Sequence, residues 1–218
     1  MIRLFLGYDR REAVGFHACV QSVIETASAS VAITPISGEQ RDGTNAFIYE
    51  RFMVPAMCGY EGWAIFADGS DMLFMEDVAE LWAMRDERYA VQVVKHAYQT
   101  RHPRKYLGTS MEADNRDYPR KNWSSLILWN CGHRAHRDLT TEYVAERDGA
   151  FLHRFGWLLD DEIGVLPTKW NVLIGEDGDS GPCAVAHFTL GIPAMRHYFE
   201  CRYAEEWRTA AQHAGRCG

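Results

Sequence analysis

The chain has 218 residues, 47% of them hydrophobic, with a net charge of −7 and six cysteines. That length and apolar content suit one domain over residues 1–218 with a sizeable core and exclude a disordered chain. The negative balance excludes partners that need a broadly basic surface, nucleic acid above all, but leaves room for a local pocket that takes a small phosphate ligand. Cys19, Cys58, Cys131, Cys183, Cys201 and Cys217 form no C-x-x-C pair and no zinc-finger spacing, which reads as free thiols in a reducing cytoplasm. The apolar run at residues 2–6 is far too short for the core of a leader peptide, and no stretch approaches a membrane span. The expectation is a soluble, cytoplasmic protein with no transmembrane segment.

In chain order, residues 2–6 read as a short apolar strand broken by Gly7-Tyr8-Asp9. Ala13, Phe16, Val20, Val23 and Ile24 then recur at helical spacing over residues 12–27. The turn between them lies where an open α/β sheet binds nucleotides, beyond the carboxyl end of a strand. Tyr8 and Asp9 there suit a base and its polar edge; Asp9 equally suits a helix cap. Residues 30–35 read as a second strand, 38–45 as a polar loop and 46–57 as a helix carrying Arg51. Residues 63–67 form a third strand. A helix over 76–84 and a valine-rich strand over 89–94 follow, the strand ending at Lys95, which suits either a phosphate contact or a soluble end.

Residues 97–121 are polar, charged and irregular, and a loop that long inside a compact domain is either a lid or an insertion. Residues 126–130 read as a strand, 139–147 as a helix, 183–188 as a last short strand and 202–212 as a terminal helix, with an acidic, glycine-rich loop at 175–181. The acids Asp160, Asp161 and Glu162 beside Trp157 suit a sugar site or a capped turn. Strands alternate with helices over the first hundred residues, so the fold class is α/β, with a mostly parallel sheet flanked by helices and antiparallel additions in an irregular second half.

The stretch that organises the chain is Trp63-Ala64-Ile65-Phe66-Ala67-Asp68-Gly69-Ser70-Asp71-Met72-Leu73-Phe74. A buried strand runs into two carboxylates and turns apolar again. Two carboxylates at a strand end make a hard oxygen site for a divalent cation, though the same residues also suit a plain turn. His187 is the second polar break in an apolar strand, and imidazole with carboxylates suits Mn2+ better than Mg2+ or Ca2+.

These residues resemble the GT-A glycosyltransferases, most closely the galactosyltransferase-like branch called glycosyltransferase family eight. Asp68-Gly69-Ser70-Asp71 is similar to the Asp-x-Asp motif of that fold, with two intervening residues instead of one. Gly7-Tyr8-Asp9 resembles the first nucleotide-contacting turn. Tyr49-Glu50-Arg51-Phe52-Met53-Val54-Pro55 resembles the helix whose arginine faces the donor. Trp123-Ser124-Ser125 with Asn130, and Leu166-Pro167 with Trp170-Asn171, resemble two further segments of the family. The resemblance spans about residues 2–193.

It implies a Rossmann-like GT-A domain that moves a sugar from a nucleoside diphosphate donor, with uridine the expected base, to an acceptor hydroxyl on a saccharide, a lipid-linked saccharide or a protein, with retention. It implies metal ligation by Asp68, Asp71 and His187, with Mn2+ or Mg2+ as the ion. Asp71 is the firmer ligand, since Asp68 can instead meet the ribose or sugar. It implies donor binding by Gly7, Tyr8, Asp9, Arg51, Lys95, Asp68, Gly69, Ser70 and Gly191, and catalytic roles for Asp160 and Asp161. The family's tail lysine is missing from Gly191-Ile192-Pro193, so Arg196 or Lys95 is the expected substitute. A sugar-phosphate nucleotidyltransferase and a catalytically inactive nucleotide-sugar binding module are the alternatives.

Overall fold

The computed structural model describes residues 1–39, 45–176 and 181–216. Parts of two expected loops, at 40–44 and 177–180, and Cys217 lie outside the described residues. Among the described residues no helix is long and apolar enough to cross a membrane.

The strands are β1 (Ile2–Gly7), β2 (Val31–Ile36), β3 (Trp63–Ala67), β4 (Met72–Phe74), β5 (Val91–Val93), β6 (Arg104–Lys105), β7 (Ala113–Asp114), β8 (Leu126–Asn130), β9 (Ile163–Val165), β10 (Val172–Leu173) and β11 (Val185–His187). The α-helices are α1 (Ala13–Thr26), α2 (Val54–Met57), α3 (Val78–Ala83), α4 (Thr141–Glu146), α5 (Gly149–His153) and α6 (Ala204–Ala214). A six-stranded sheet has the order β2-β1-β3-β8-β5-β9. All its strands run the same way except β8, which is antiparallel to both β3 and β5. A smaller sheet, β10-β11-β4, stands beside it.

The central strands are apolar without a break because both faces of the sheet are covered. Along them the side chains divide with a period of two. Leu4, Leu6, Ile65, Leu126 and Leu128 join Phe16, Cys19 and Val23 of α1 on one face. Phe5, Phe66, Ile127 and Trp129 join Phe47, Phe52 and Leu152 on the other. Each such buried side chain contributes about 1.5–3 kcal/mol.

Several expected elements shift. Ile24 is 60% exposed on the outer face of α1, and Ala18 and Ser22 are buried on its inner face instead. The helix expected over 46–57 is a 3-10 turn, Glu50–Met53, followed by the short α2. Pro55 lacks an N–H and tolerates only a first helical turn, so the α-helix starts beside it. Thr140 and Asp148 cap α4 and α5 through Tyr143 N (3.2 Å) and Phe151 N (2.7 Å). The long segment at 97–121 folds as a small β6–β7 hairpin docked on the body, where Tyr106 N donates to Leu190 O at 2.6 Å.

Candidate active site

The site grows from the end of β3. Asp68 N donates to Ser125 O at 2.9 Å, which ties the strand end to the start of β8. The next three residues, Gly69–Asp71, form one 3-10 turn. Residues i and i+3 eclipse in a 3-10 helix, so two intervening residues bring Asp68 and Asp71 to one side, as a single intervening residue would in an extended chain. The turn is pressed between β1 and α1. A Cβ on Gly69 would lie 2.8 Å from Gly7 O, and one on Gly15 would lie 2.0 Å from Ser70 O.

The histidine arrives through register. Strands β4 and β11 pair antiparallel with His187 opposite Met72, and Phe188 N donates to Asp71 O at 2.8 Å. His187 Nε2 thereby lies 3.4 Å from Asp71 Oδ2. Ligand atoms of Asp68, Asp71 and His187 all fall within 4.8 Å of one another. The three expected ligands, His187 more than a hundred positions from the two acids in sequence, form one cluster.

The surroundings prepare it for a cation. Asn171 Nδ2 donates to Ser125 Oγ at 2.8 Å, which leaves Asn171 Oδ1 to accept from His187 Nδ1 at 2.9 Å. The proton is then on Nδ1, and the Nε2 lone pair faces the acids. Asp71 is buried, and its Oδ1 has no hydrogen-bond partner among the described residues. A buried carboxylate oxygen without a donor is costly unless a cation meets it. Burial pushes the Asp68 carboxyl up to about 6, with Asp71 adding to the rise and Arg51, His187 and Lys105 opposing it. Arg51 Nη1 lies 2.7 Å from Asp68 Oδ1. The same guanidinium donates to Ser124 O at 2.8 Å and Ile48 O at 3.1 Å, between the rings of Phe47 and Phe66. Two carboxylates and one imidazole nitrogen fit a divalent cation.

The cluster opens into a cavity of about 290 Å³. Arg51, Asp68, Asp71 and His187 line it, together with Asn45, Ile48, Lys105, Tyr106, Asp114, Tyr118, Asn122, Ser124, Ser125, His153 and Thr189. The other residues expected at the site lie outside that lining. Tyr8 packs edge-on against Phe16, with ring centroids 5.1 Å apart. Asp9 is buried and accepts from Arg11 N at 2.9 Å and Ala46 N at 3.1 Å, which makes it a cap and a brace for the wall at Asn45. Gly69 packs against Gly7 O, and Ser70 O against Gly15 of α1, away from the cavity. Lys95 sits over the Trp123 ring at 5.5 Å. Gly191 packs against Tyr198 and Met195. Asp160 and Asp161 lie on an exposed 3-10 turn, where Asp160 pairs with Arg120. Arg196 belongs to a separate exposed turn.

The sequence marked the hairpin segment only as a polar stretch that suits a lid or an insertion, with no single residue of it assigned to the site, and it did not mark His153, which is close to Arg51 and lies 2.6 Å through Nδ1 from Ser124 Oγ. Burial first, and then Arg51, pushes the His153 imidazole down to about 3, so it is neutral. The one available signal for the hairpin was the density of Arg, Lys and Asp at 101–121.

No family model matches the chain. The fold, a mixed and mostly parallel sheet flanked by helices, is that of the GT-A glycosyltransferases. The fold matches the galactosyltransferase LgtC, solved with donor and acceptor sugar analogs, with a TM-score of 0.64 at 12% identity over 100% of this chain and 98% of LgtC. It matches GlyE of Streptococcus pneumoniae TIGR4 with a TM-score of 0.60 at 13% identity, over 96% of this chain and 60% of GlyE. The bifunctional glycosyltransferase WbbM matches with a TM-score of 0.55 at 14% identity over 96% of this chain, which spans 51% of WbbM, about half its length. In sequence, the chain is 38% identical over 223 residues to Protein CDI of Arabidopsis thaliana, a match that covers 94% of this chain and 84% of that protein. The chain belongs to the family of Protein CDI.

Proposed function

We propose that the protein is a divalent-metal-dependent glycosyltransferase that moves a sugar from a nucleoside diphosphate donor to an acceptor hydroxyl. The observation that carries this reading is the convergence of Asp68, Asp71 and His187 within 4.8 Å at the mouth of a cavity beyond the central strand. The sugar analogues in the LgtC structure support it.

In this reading Asp71 and His187 hold Mn2+ or Mg2+, and Asp68 completes the set. A bound divalent ion supplies neutralisation of the charge that builds on the leaving phosphate oxygen. Arg51 fixes the Asp68 carboxylate, and Asn171 fixes the His187 ring. Tyr106 and Tyr118 wall the cavity from the hairpin side and restrict water, since donor hydrolysis is the competing reaction. Among the described residues the carboxylates that line the cavity are the metal-facing Asp68 and Asp71 and the Asp114 that pairs with Arg104 and Arg116. With Asp160 and Asp161 outside it, a same-face route with retention, in which the leaving diphosphate takes the acceptor's proton, suits the site better than a protein nucleophile. Uridine is the proposed base. The five described cysteines are free thiols, in keeping with a cytoplasmic setting.

The test is incubation with Mn2+ and a panel of nucleotide sugars. Slow, Mn2+-dependent release of a nucleoside diphosphate is expected for at least one donor. Pyrophosphate formed from a nucleoside triphosphate and a sugar phosphate would instead identify a nucleotidyltransferase. Binding of every donor without turnover, with acceptor sugars present, would identify a binding module.

A further inference from the structure

The diphosphate diester of a nucleotide sugar brings about two negative charges to the metal site, and a protein that binds it must answer them. Among the described residues two lysine or arginine side chains line the cavity, Arg51 and Lys105. Arg51 is committed to Asp68 and to two main-chain carbonyls. Lys105 is in a different position. It is half-buried and close enough to Asp71 and Asp68 to feel both, yet none of its ion pairs or side-chain hydrogen bonds is found among the described residues. Its Nζ lies 5.0 Å from the Tyr106 ring centroid. The cavity's third carboxylate, Asp114, is already answered by Arg104 at 3.0 Å and Arg116 at 2.7 Å. A half-buried ammonium with no direct anion contact among the described residues favours a ligand that supplies one.

The backbone also places this lysine. Tyr106 N donates to Leu190 O at 2.6 Å, and Leu107 N donates to Tyr198 Oη at 3.1 Å. The hairpin therefore brings Lys105 beside the segment that follows His187. That segment, Gly191-Ile192-Pro193, carries no cation of its own. Charge counting agrees. Asp68 and Asp71 are balanced by Arg51 and Lys105, so a divalent ion leaves the site with two positive charges, matching a diphosphate diester.

We propose that Lys105, delivered by the β6–β7 hairpin, is the residue that binds the diphosphate group of the donor and of the departing nucleoside diphosphate. Lysine acts here as a point charge on the phosphate oxygens opposite the metal ligands. The inference rests on the proposed donor chemistry but makes a separate demand on one side chain.

The probe is inorganic pyrophosphate, titrated calorimetrically into the full chain with saturating Mn2+. Mn2+ binding alone is followed by electron paramagnetic resonance. Lys105→Met keeps the apolar stem and removes the charge; Lys105→Arg restores it. In Lys105→Met, pyrophosphate affinity is expected to fall about tenfold or more, the loss of a charge-assisted contact. Mn2+ affinity without pyrophosphate should hold or rise, because a cation near the acids has been removed. Lys105→Arg should recover most of the pyrophosphate affinity. A merely structural lysine would weaken both ligands together, and that result overturns the proposal. Pyrophosphate affinity within about twofold of wild type in Lys105→Met overturns it as well and leaves the transferase reading standing. Wild-type protein that binds Mn2+ but no pyrophosphate also overturns it. Failure to bind Mn2+ at all would remove the metal-dependent transferase reading itself.

Discussion

Asn171 Oδ1 accepts a hydrogen bond from His187 Nδ1 at 2.9 Å, and this contact decides which imidazole nitrogen faces Asp71. The carboxamide is itself held by Ser125 Oγ at 2.8 Å, so the start of β8 sets the histidine tautomer through one intermediary. Asn171→Ala should weaken Mn2+ binding by about 10–100-fold, the usual effect of removing the partner that orients a metal-bound histidine. It should also lower stability by about 1–3 kcal/mol, because a buried N–H is left unpaired. Electron paramagnetic resonance and urea unfolding read the two effects. Unchanged Mn2+ affinity in a folded variant would show that the tautomer is set elsewhere.

Asp71→Asn separates ligation from folding. The carboxylate is buried, and one oxygen has no hydrogen-bond partner among the described residues, so it is maintained for a ligand and does little for the fold. The amide isostere should lose Mn2+ binding and donor turnover by about 100-fold or more, with stability unchanged or higher in the metal-free state. A melting temperature lowered by many degrees would make the residue structural.

The parts of the site that were legible in the sequence are those where an apolar strand is interrupted. Asp68 and Asp71 break the run of β3 and β4, and His187 breaks β11, because a buried strand tolerates a polar residue only where it is used or paired. That these breaks converge depends on the pairing of His187 with Met72, which no local pattern encodes. Lys105, Asp114 and Tyr118 sit in a polar segment with no periodicity, and their place over the cavity comes from tertiary docking through Leu190 and Tyr198. The run Asp160-Asp161-Glu162 stood out by composition, but its acids begin a turn. Glu162 accepts from Leu159 N at 2.9 Å, and Asp160 faces solvent. Phe47 and Phe52 are buried at positions compatible with a helix, yet a turn also buries them, and Pro55 forbids the longer helix.

Glu12 predicts a pH dependence. It is buried, both carboxylate oxygens lack a hydrogen-bond partner among the described residues, and burial, with Asp71 and Asp9 adding to it, pushes its carboxyl up to about 8. A group raised in the folded state favours folding below its unfolded value of 4.5, and that contribution is lost as pH rises through about 8. Metal-free Glu12→Gln should therefore match wild type near pH 5 and exceed it in melting temperature at pH 9. A difference of about 1 kcal/mol corresponds to roughly 2–4 °C in a chain of this size. On the acid side, burial lowers His96 and His153 to about 3 and His136 to about 4, so all variants should lose stability as pH falls below 6.5. Equal melting temperatures for the two proteins at pH 9 would show that Glu12 ionises freely.

Gly15 tests whether the metal turn is braced by helix α1. On helix propensity alone, alanine at an internal glycine stabilises by about 1 kcal/mol. Here the added Cβ would fall 2.0 Å from Ser70 O and 3.3 Å from Ile192 Cδ1, so the helix or the turn must move. Main chain yields less readily than a side-chain tip, and Ser70 immediately precedes Asp71, so the strain falls on the ligand turn. Gly15→Ala should therefore destabilise by about 1–3 kcal/mol, opposite in sign to the propensity expectation. Mn2+ affinity should fall with it, because Asp71 is carried by the displaced turn. Urea unfolding with parallel Mn2+ titration distinguishes the outcomes. A variant more stable than wild type with full Mn2+ affinity would mean that α1 does not set the position of the acids.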